Sequence, residues 1–266
     1  MLKHILVPID ASPAAESVLD RLDSLLTRPC AEVVLLHCTE PPLAEAEIYV
    51  RALAERLSAK GVLCRGVVKP GPAEDAIVAM AAEQPSGMIA MATHGRSGLA
   101  RLAYGSVAES VLRRTRVPVL LVRTAEPNEP AAPLVVRRIV VPVDESLQAL
   151  AVVPLVVELA KAAKAEVTIV HVLPHDPAQA EAAGRAERVI EVSRARFEDE
   201  GLACECQIRS GDAAEEIIDA VRQKRADLLA CSTHGRSGMA RAVMGSVAEK
   251  LLRSSGVPML VCRNTE

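Results

Sequence analysis

The chain has 266 residues, 31 Lys and Arg against 34 Asp and Glu, and a formal net charge of -3, with 50% of its residues hydrophobic. That length allows two domains of ordinary size, each burying its own core without metal or disulfide support. No basic excess and almost no aromatic surface (no Trp, two Tyr, one Phe) is available to grip phosphates or stack bases, which argues against DNA or RNA as a partner.

The first apolar run, 5–9, is too short for a signal peptide and predicts a buried strand. Val18, Leu19, Leu22, Leu25 and Leu26 then share one helical face. A strand is expected over 33–38, a helix over 43–60, a strand over 62–68 and a helix over 73–83. The first half closes with a strand over 88–92, a helix over 106–114 and a strand over 117–123. Pro127, Pro130 and Pro133 forbid a continuous helix or central strand after it, so 1–124 and 135–266 are predicted domains and 125–134 a linker. The second half repeats the order and ends in a strand over 257–263. Short β-branched runs alternating with helices imply parallel strands with both faces covered, hence a doubly wound α/β sandwich, twice.

The halves are copies. Asp10 aligns with Asp144 and His37 with His171, whereas Gly61, Gly71 and Gly105 align with Gly201, Gly211 and Gly245 at a longer offset. Six extra residues therefore follow the second strand of the second half, near Pro174-His175-Asp176-Pro177. Thr93-His94-Gly95-Arg96-Ser97-Gly98 recurs as Thr233-His234-Gly235-Arg236-Ser237-Gly238, and Gly-Ser-Val-Ala-Glu follows each, beginning at Gly105 and Gly245. A polar, glycine-rich loop kept identical in both halves is not a packing requirement and points to a shared binding site.

In open parallel sheets the ligand site lies beyond the carboxyl ends of the strands where strand order reverses. The segment ending in Asp10 and the Thr93 loop occupy two such ends, and Gly105-Ser106 opens the next helix, whose backbone N–H groups and dipole suit a phosphate. Plainer readings stand beside this one. Ser106-Val107-Ala108-Glu109 and Ser246-Val247-Ala248-Glu249 each read as a capping box, the loop glycines as turn glycines, and Asp10 and Asp144 as caps of the helices that follow. His94 and His234 have no triad partner set by sequence, and Cys204-Glu205-Cys206 puts two thiols on one strand face without a His at zinc-finger spacing. No Walker motif is present, and seven Cys residues without a C-x-x-C pair fit a reducing cytoplasm. No apolar stretch approaches the ~18 residues of a membrane span.

The Val-Pro-Ile-Asp strand end, Leu-Leu-His after the second strand, the Thr-His-Gly-Arg-Ser-Gly loop, Gly-Ser-Val-Ala-Glu and the Val-Pro-Val-Leu-Leu-Val strand together resemble the universal stress protein family, twice over the chain. The resemblance implies two five-stranded parallel sheets in order 3-2-1-4-5, of the adenine nucleotide alpha hydrolase-like kind, in tandem and joined through their terminal strands. It also implies an ATP or AMP site with the pattern G-x-x-G-x9-G-[ST]. Gly95 with Gly105-Ser106, and Gly235 with Gly245-Ser246, match it, while Ala92 and Ser232 stand where the first glycine belongs. By the same resemblance Pro8, Ile9, Asp10, Cys38 and Met91 line the adenine and ribose side, as do Pro142, Val143, Asp144, Val172 and Cys231 in the second half. Gly98, Val107, Gly238 and Val247 complete the expected loops, and Arg96 and Arg236 are either phosphate contacts or solvated surface. The expected function is a nucleotide-responsive stress or signalling protein in the cytoplasm without fast catalysis. The alternatives are a protein-interaction module that no longer binds nucleotide and a slow ATPase. The protein partner and any metal are left unidentified, and a homodimer is left open.

Overall fold

A computed structural model describes residues 4–22, 32–85, 87–93, 105–122, 133–173, 179–232 and 244–263, with backbone alone at 147–148 and 179–183. The chain divides into two compact units, Met1–Val135 and Val136–Glu266.

Unit 1 runs β1 (His4–Ile9), α1 (Pro13–Arg21), β2 (Glu32–Thr39), α2 (Ala44–Ser58), β3 (Cys64–Pro70), α3 (Ala73–Ala82), β4 (Gly87–Ala92), α4 (Ser106–Arg114) and β5 (Val119–Val122). All neighbours are parallel, in the order β3-β2-β1-β4-β5, so strand order reverses between β1 and β4. The interior strands are buried on both faces because helices cover both, and Val7, Val33, Leu35, Ile89 and Val122 have no exposed surface. The edge strand β3 is the most exposed and begins two residues later than its periodicity predicts. The N–H of Val62 donates to the carbonyl of Leu57, finishing α2 through Gly61 at φ +85°, so Val62 serves the helix end and not the ladder. Leu25 and Leu26 of the predicted first helix lie outside the described residues. Leu134, placed in the linker by its prolines, donates its N–H to the carbonyl of Arg21 at 2.7 Å and is buried.

Unit 2 runs β6 (Arg138–Pro142), a 3-10 segment (Leu147–Val152) leading into α5 (Val153–Ala163), β7 (Glu166–Leu173), α6 (Gln179–Glu198), β8 (Cys204–Ser210), α7 (Ala213–Lys224), β9 (Leu228–Ser232), α8 (Ser246–Ser254) and β10 (Met259–Cys262). Its parallel order, β8-β7-β6-β9-β10, repeats unit 1. Two departures have local causes. Pro154 has no N–H for the carbonyl four residues back, so the turn before it tightens to 3-10 where unit 1 has α-helix. The extra residues after β7 fall mostly in a helix: α6 has 20 residues against 15 in α2.

Candidate functional site

The carboxyl ends of β1 and β4 meet at the reversal point, and a cavity of about 270 Å³ opens there in unit 1. Its volume is near the lower end of the ~300–1,000 Å³ typical of small-molecule sites. Pro8, Ile9 and Asp10 line it from the end of β1, Cys38 from β2, Met91 and Ala92 from β4, and Gly105, Ser106 and Val107 from the start of α4. Thr93, the first residue of the repeated loop, joins them, and sequence reasoning missed Ala15, Leu36, Ala73, Ile77 and Ala108, which complete the wall. The signals were faint: Leu36 lies two residues before Cys38 on the same strand face, and Ala73 and Ile77 share a helix face at i, i+4. His94, Gly95, Arg96 and Gly98, with His234, Gly235, Arg236 and Gly238, lie outside the described residues.

The mouth is held by backbone-directed polar contacts. The Asp10 carboxylate accepts from the N–H of Ser12 at 3.1 Å and from its hydroxyl, while Ser12 Oγ accepts from the N–H of Ala15. Ser12, not Asp10, therefore caps α1. Asp144, Ser146 and Ala149 repeat the arrangement. The imidazole Nδ1–H of His37 donates to the Ile9 carbonyl at 2.8 Å, and that of His171 to the Val143 carbonyl at 2.9 Å, which pins the ends of the first two strands together in each unit. This role was not read from the sequence, although the 134-residue offset aligned the two histidines. In unit 1, Tyr49 packs edge-on against the His37 ring and donates to Glu16 at 2.9 Å, tying α2 to α1 beside the mouth. Burial pushes the Cys38 thiol above its usual range, so it stays protonated near neutral pH and acts as wall.

Gly105 is the N-cap residue of α4, at φ -63° and ψ 158°, and among the described residues no side chain caps the helix. Gly245 has the same role in α8, at φ -61° and ψ 148°, again without a side-chain cap. The capping boxes are not formed. Ser106 and Ser246 begin the helices one position too late to cap them, and Glu109 and Glu249 turn away to Arg113 and Arg253. Among the described residues, a Cβ added at Gly105 would meet only the Thr93 carbonyl oxygen, at 3.8 Å. Neither the backbone conformation nor the packing of the described residues requires glycine there. The helix end thus presents uncapped N–H groups and the positive end of its dipole toward a cavity with apolar walls, which suits an anionic ligand with an apolar ring.

In unit 2, Pro142, Val143 and Asp144 end the strand beside β9, which carries Cys231 and Ser232, and Val172 is half-buried near the end of β7. Gly245, Ser246 and Val247 open α8, with Val247 exposed. Burial raises the Cys231 thiol far above its usual range. Ser232 pairs with Cys262 as Ala92 pairs with Val122, so both residues hold the same place on their strands. The Ser232 hydroxyl is buried with no hydrogen-bond partner among the described residues. An orphaned buried hydroxyl costs about 1–3 kcal/mol, so Ser232→Ala is expected to raise the unfolding free energy of the unliganded chain by up to about that amount. Urea unfolding monitored by a probe in unit 2 measures it, and a destabilised variant would mean that the hydroxyl is satisfied in solution.

A model of the universal stress protein family matches residues 1–60, 44–123 and 136–263. A universal stress protein of Methanocaldococcus jannaschii is 28% identical over 139 residues, covering 48% of this chain and 82% of that protein. One of Mycobacterium bovis is 28% identical over 195 residues, 67% of this chain and 62% of its own. Among solved structures, a universal stress protein from Archaeoglobus fulgidus superposes with a TM-score of 0.79 at 21% identity, covering 99% of both chains, a likeness of fold.

Proposed function

The chain belongs to the universal stress protein family, and we propose that unit 1 takes one adenine nucleotide, ATP or AMP, in the cavity between β1, β4 and α4. The carrying observation is a glycine for which the described residues give no structural reason: Gly105, at a helix end without a side-chain cap among them, lines the cavity, and they leave room for a Cβ there. Without a side chain at that position, a phosphate can approach the N–H groups of Ser106 and Val107 closely. Ile9, Leu36, Ile77 and Met91 offer an apolar slot for the base. Asp10, held by Ser12, is placed to accept from a ribose hydroxyl.

Binding, and not turnover, is the proposed output in stress response. The chain carries no Walker lysine, and Asp10 is engaged in orienting the start of α1. The second reading, an interaction module without nucleotide, is favoured by Ala92 and Ser232, whose side chains occupy the place of the first motif glycine.

Mass spectrometry of small molecules released by denaturing the purified chain, followed by calorimetric titration with ATP and AMP, tests the proposal. Saturable binding is expected. Silence up to millimolar nucleotide would leave the interaction module, and turnover at about 1 per second or faster would make the protein an enzyme.

A further inference from the structure

The edge strand of unit 2 carries a pair of sulfurs that the nucleotide proposal does not use. Cys204 and Cys206 stand opposite Val167 and Ile169 of β7, and the two-residue period of a strand directs both thiols to one face. Both are half-buried. α6 packs on β8, and the thiols lie on the face opposite Glu205, which turns to Lys224 of α7. Burial pushes the Cys204 thiol up, and the neighbouring Cys206 thiol adds to the shift. Glu205, between them in sequence, points the other way and is paired with Lys224.

Unit 1 supplies the comparison. The equivalent strand carries Cys64 and Gly66, and a Cβ at Gly66 would lie 2.4 Å from Val50 Cγ1 and 3.2 Å from the Val50 carbonyl oxygen of α2. There a single thiol sits beside a helix pressed directly onto the strand. In unit 2 a second sulfur occupies the position that unit 1 keeps bare.

We propose that Cys204 and Cys206 form a two-sulfur site for a soft monovalent cation of the copper(I) class, held between the two thiolates. Soft thiolates favour copper(I), zinc and iron–sulfur clusters, and among these copper(I) is the ion that two ligands satisfy, whereas zinc takes four. Two residues along a strand span about 6.6 Å. This is near the upper limit of the ~4.4–6.8 Å between Cα atoms that a disulfide tolerates, so an inserted ion relaxes the pair where a direct S–S bond strains it. On binding, two S–H bonds break, two Cu–S bonds form, both protons pass to solvent and copper stays in the +1 state.

Anaerobic titration of the reduced full chain with copper(I), in competition with a chromophoric copper(I) chelator, tests the site. One tight equivalent is expected, lost in Cys204→Ser and in Cys206→Ser and kept in Cys64→Ser. Cys206→Gly restores the residue of unit 1 and separates loss of the ligand from loss of the fold, because circular dichroism should show it folded while it binds no tight copper. X-ray absorption of the loaded wild-type chain should show two sulfur neighbours. A tight equivalent that survives either single serine variant, or a third sulfur in the shell, overturns the proposal.

Discussion

Gly105→Asp is expected to weaken adenine-nucleotide binding about 100-fold while slightly stabilising the unliganded protein. The two effects have opposite signs because the position has two roles. As an N-cap, residue 105 already has extended backbone, φ -63° and ψ 158°, and its helix has no side-chain cap. Aspartate is among the best residues for that place and exceeds glycine by a few tenths of a kcal/mol. As the floor of the cavity, the same residue lets a phosphate reach the helix N–H groups. A carboxylate there accepts those N–H groups itself and repels the ligand. Losing one charge-assisted hydrogen bond costs about 1.5–3 kcal/mol, and each 1.4 kcal/mol is about tenfold in affinity. Gly105→Ala separates bulk from charge: its Cβ makes an ordinary contact at 3.8 Å with the protein and leaves the N–H groups uncapped, so it should weaken binding less than Gly105→Asp. Calorimetric titration paired with thermal melting reads both signs. Unchanged ATP affinity in Gly105→Asp would remove the helix end as the phosphate seat.

The alternation of short apolar runs with helical faces was enough to place every strand of both sheets, because parallel strands buried on both faces leave runs such as Val33 to Leu36 with no polar interruption. Element ends were harder. Val62 reads as strand by composition, yet its N–H closes α2, a choice made by Gly61 and the helix carbonyl and not by hydrophobicity. The anchors His171 and Gly201 put the extra residues of unit 2 near Pro174-His175-Asp176-Pro177, but no anchor lies inside α6 to show how far they lengthen that helix. At the site, Pro8, Asp10, Met91 and Gly105 stood out by motif. Leu36, Ala73 and Ile77 did not, because an apolar residue facing a cavity and one facing a core look alike until the elements are packed. The capping-box pattern misled for a related reason: S-x-x-E fits a helix start one residue later than the one adopted.

Phe197→Ala should lower the stability of unit 2 by about 3–5 kcal/mol, the usual range for deleting a buried aromatic ring. Phe197 is the single phenylalanine of the chain and is fully buried. Its carbonyl accepts from the N–H groups of Glu200 at 3.2 Å and Leu202 at 2.9 Å, ending α6 through Gly201 at φ +72°. Leu57 holds the same post in unit 1, accepting from Lys60 and Val62. At both posts one residue supplies a core side chain and closes a helix, but only the ring is lost in the variant, so the effect measures packing and not the turn. Hydrogen exchange should show amides of β6, β7 and β9 losing about two to three and a half orders of magnitude of protection. The variant also separates the two sites. Every described residue lining the unit 1 cavity is intact in it, so ATP binding should persist with unchanged stoichiometry if the nucleotide seat is confined to unit 1. Loss of nucleotide together with the ordered core of unit 2 would assign the seat to that unit.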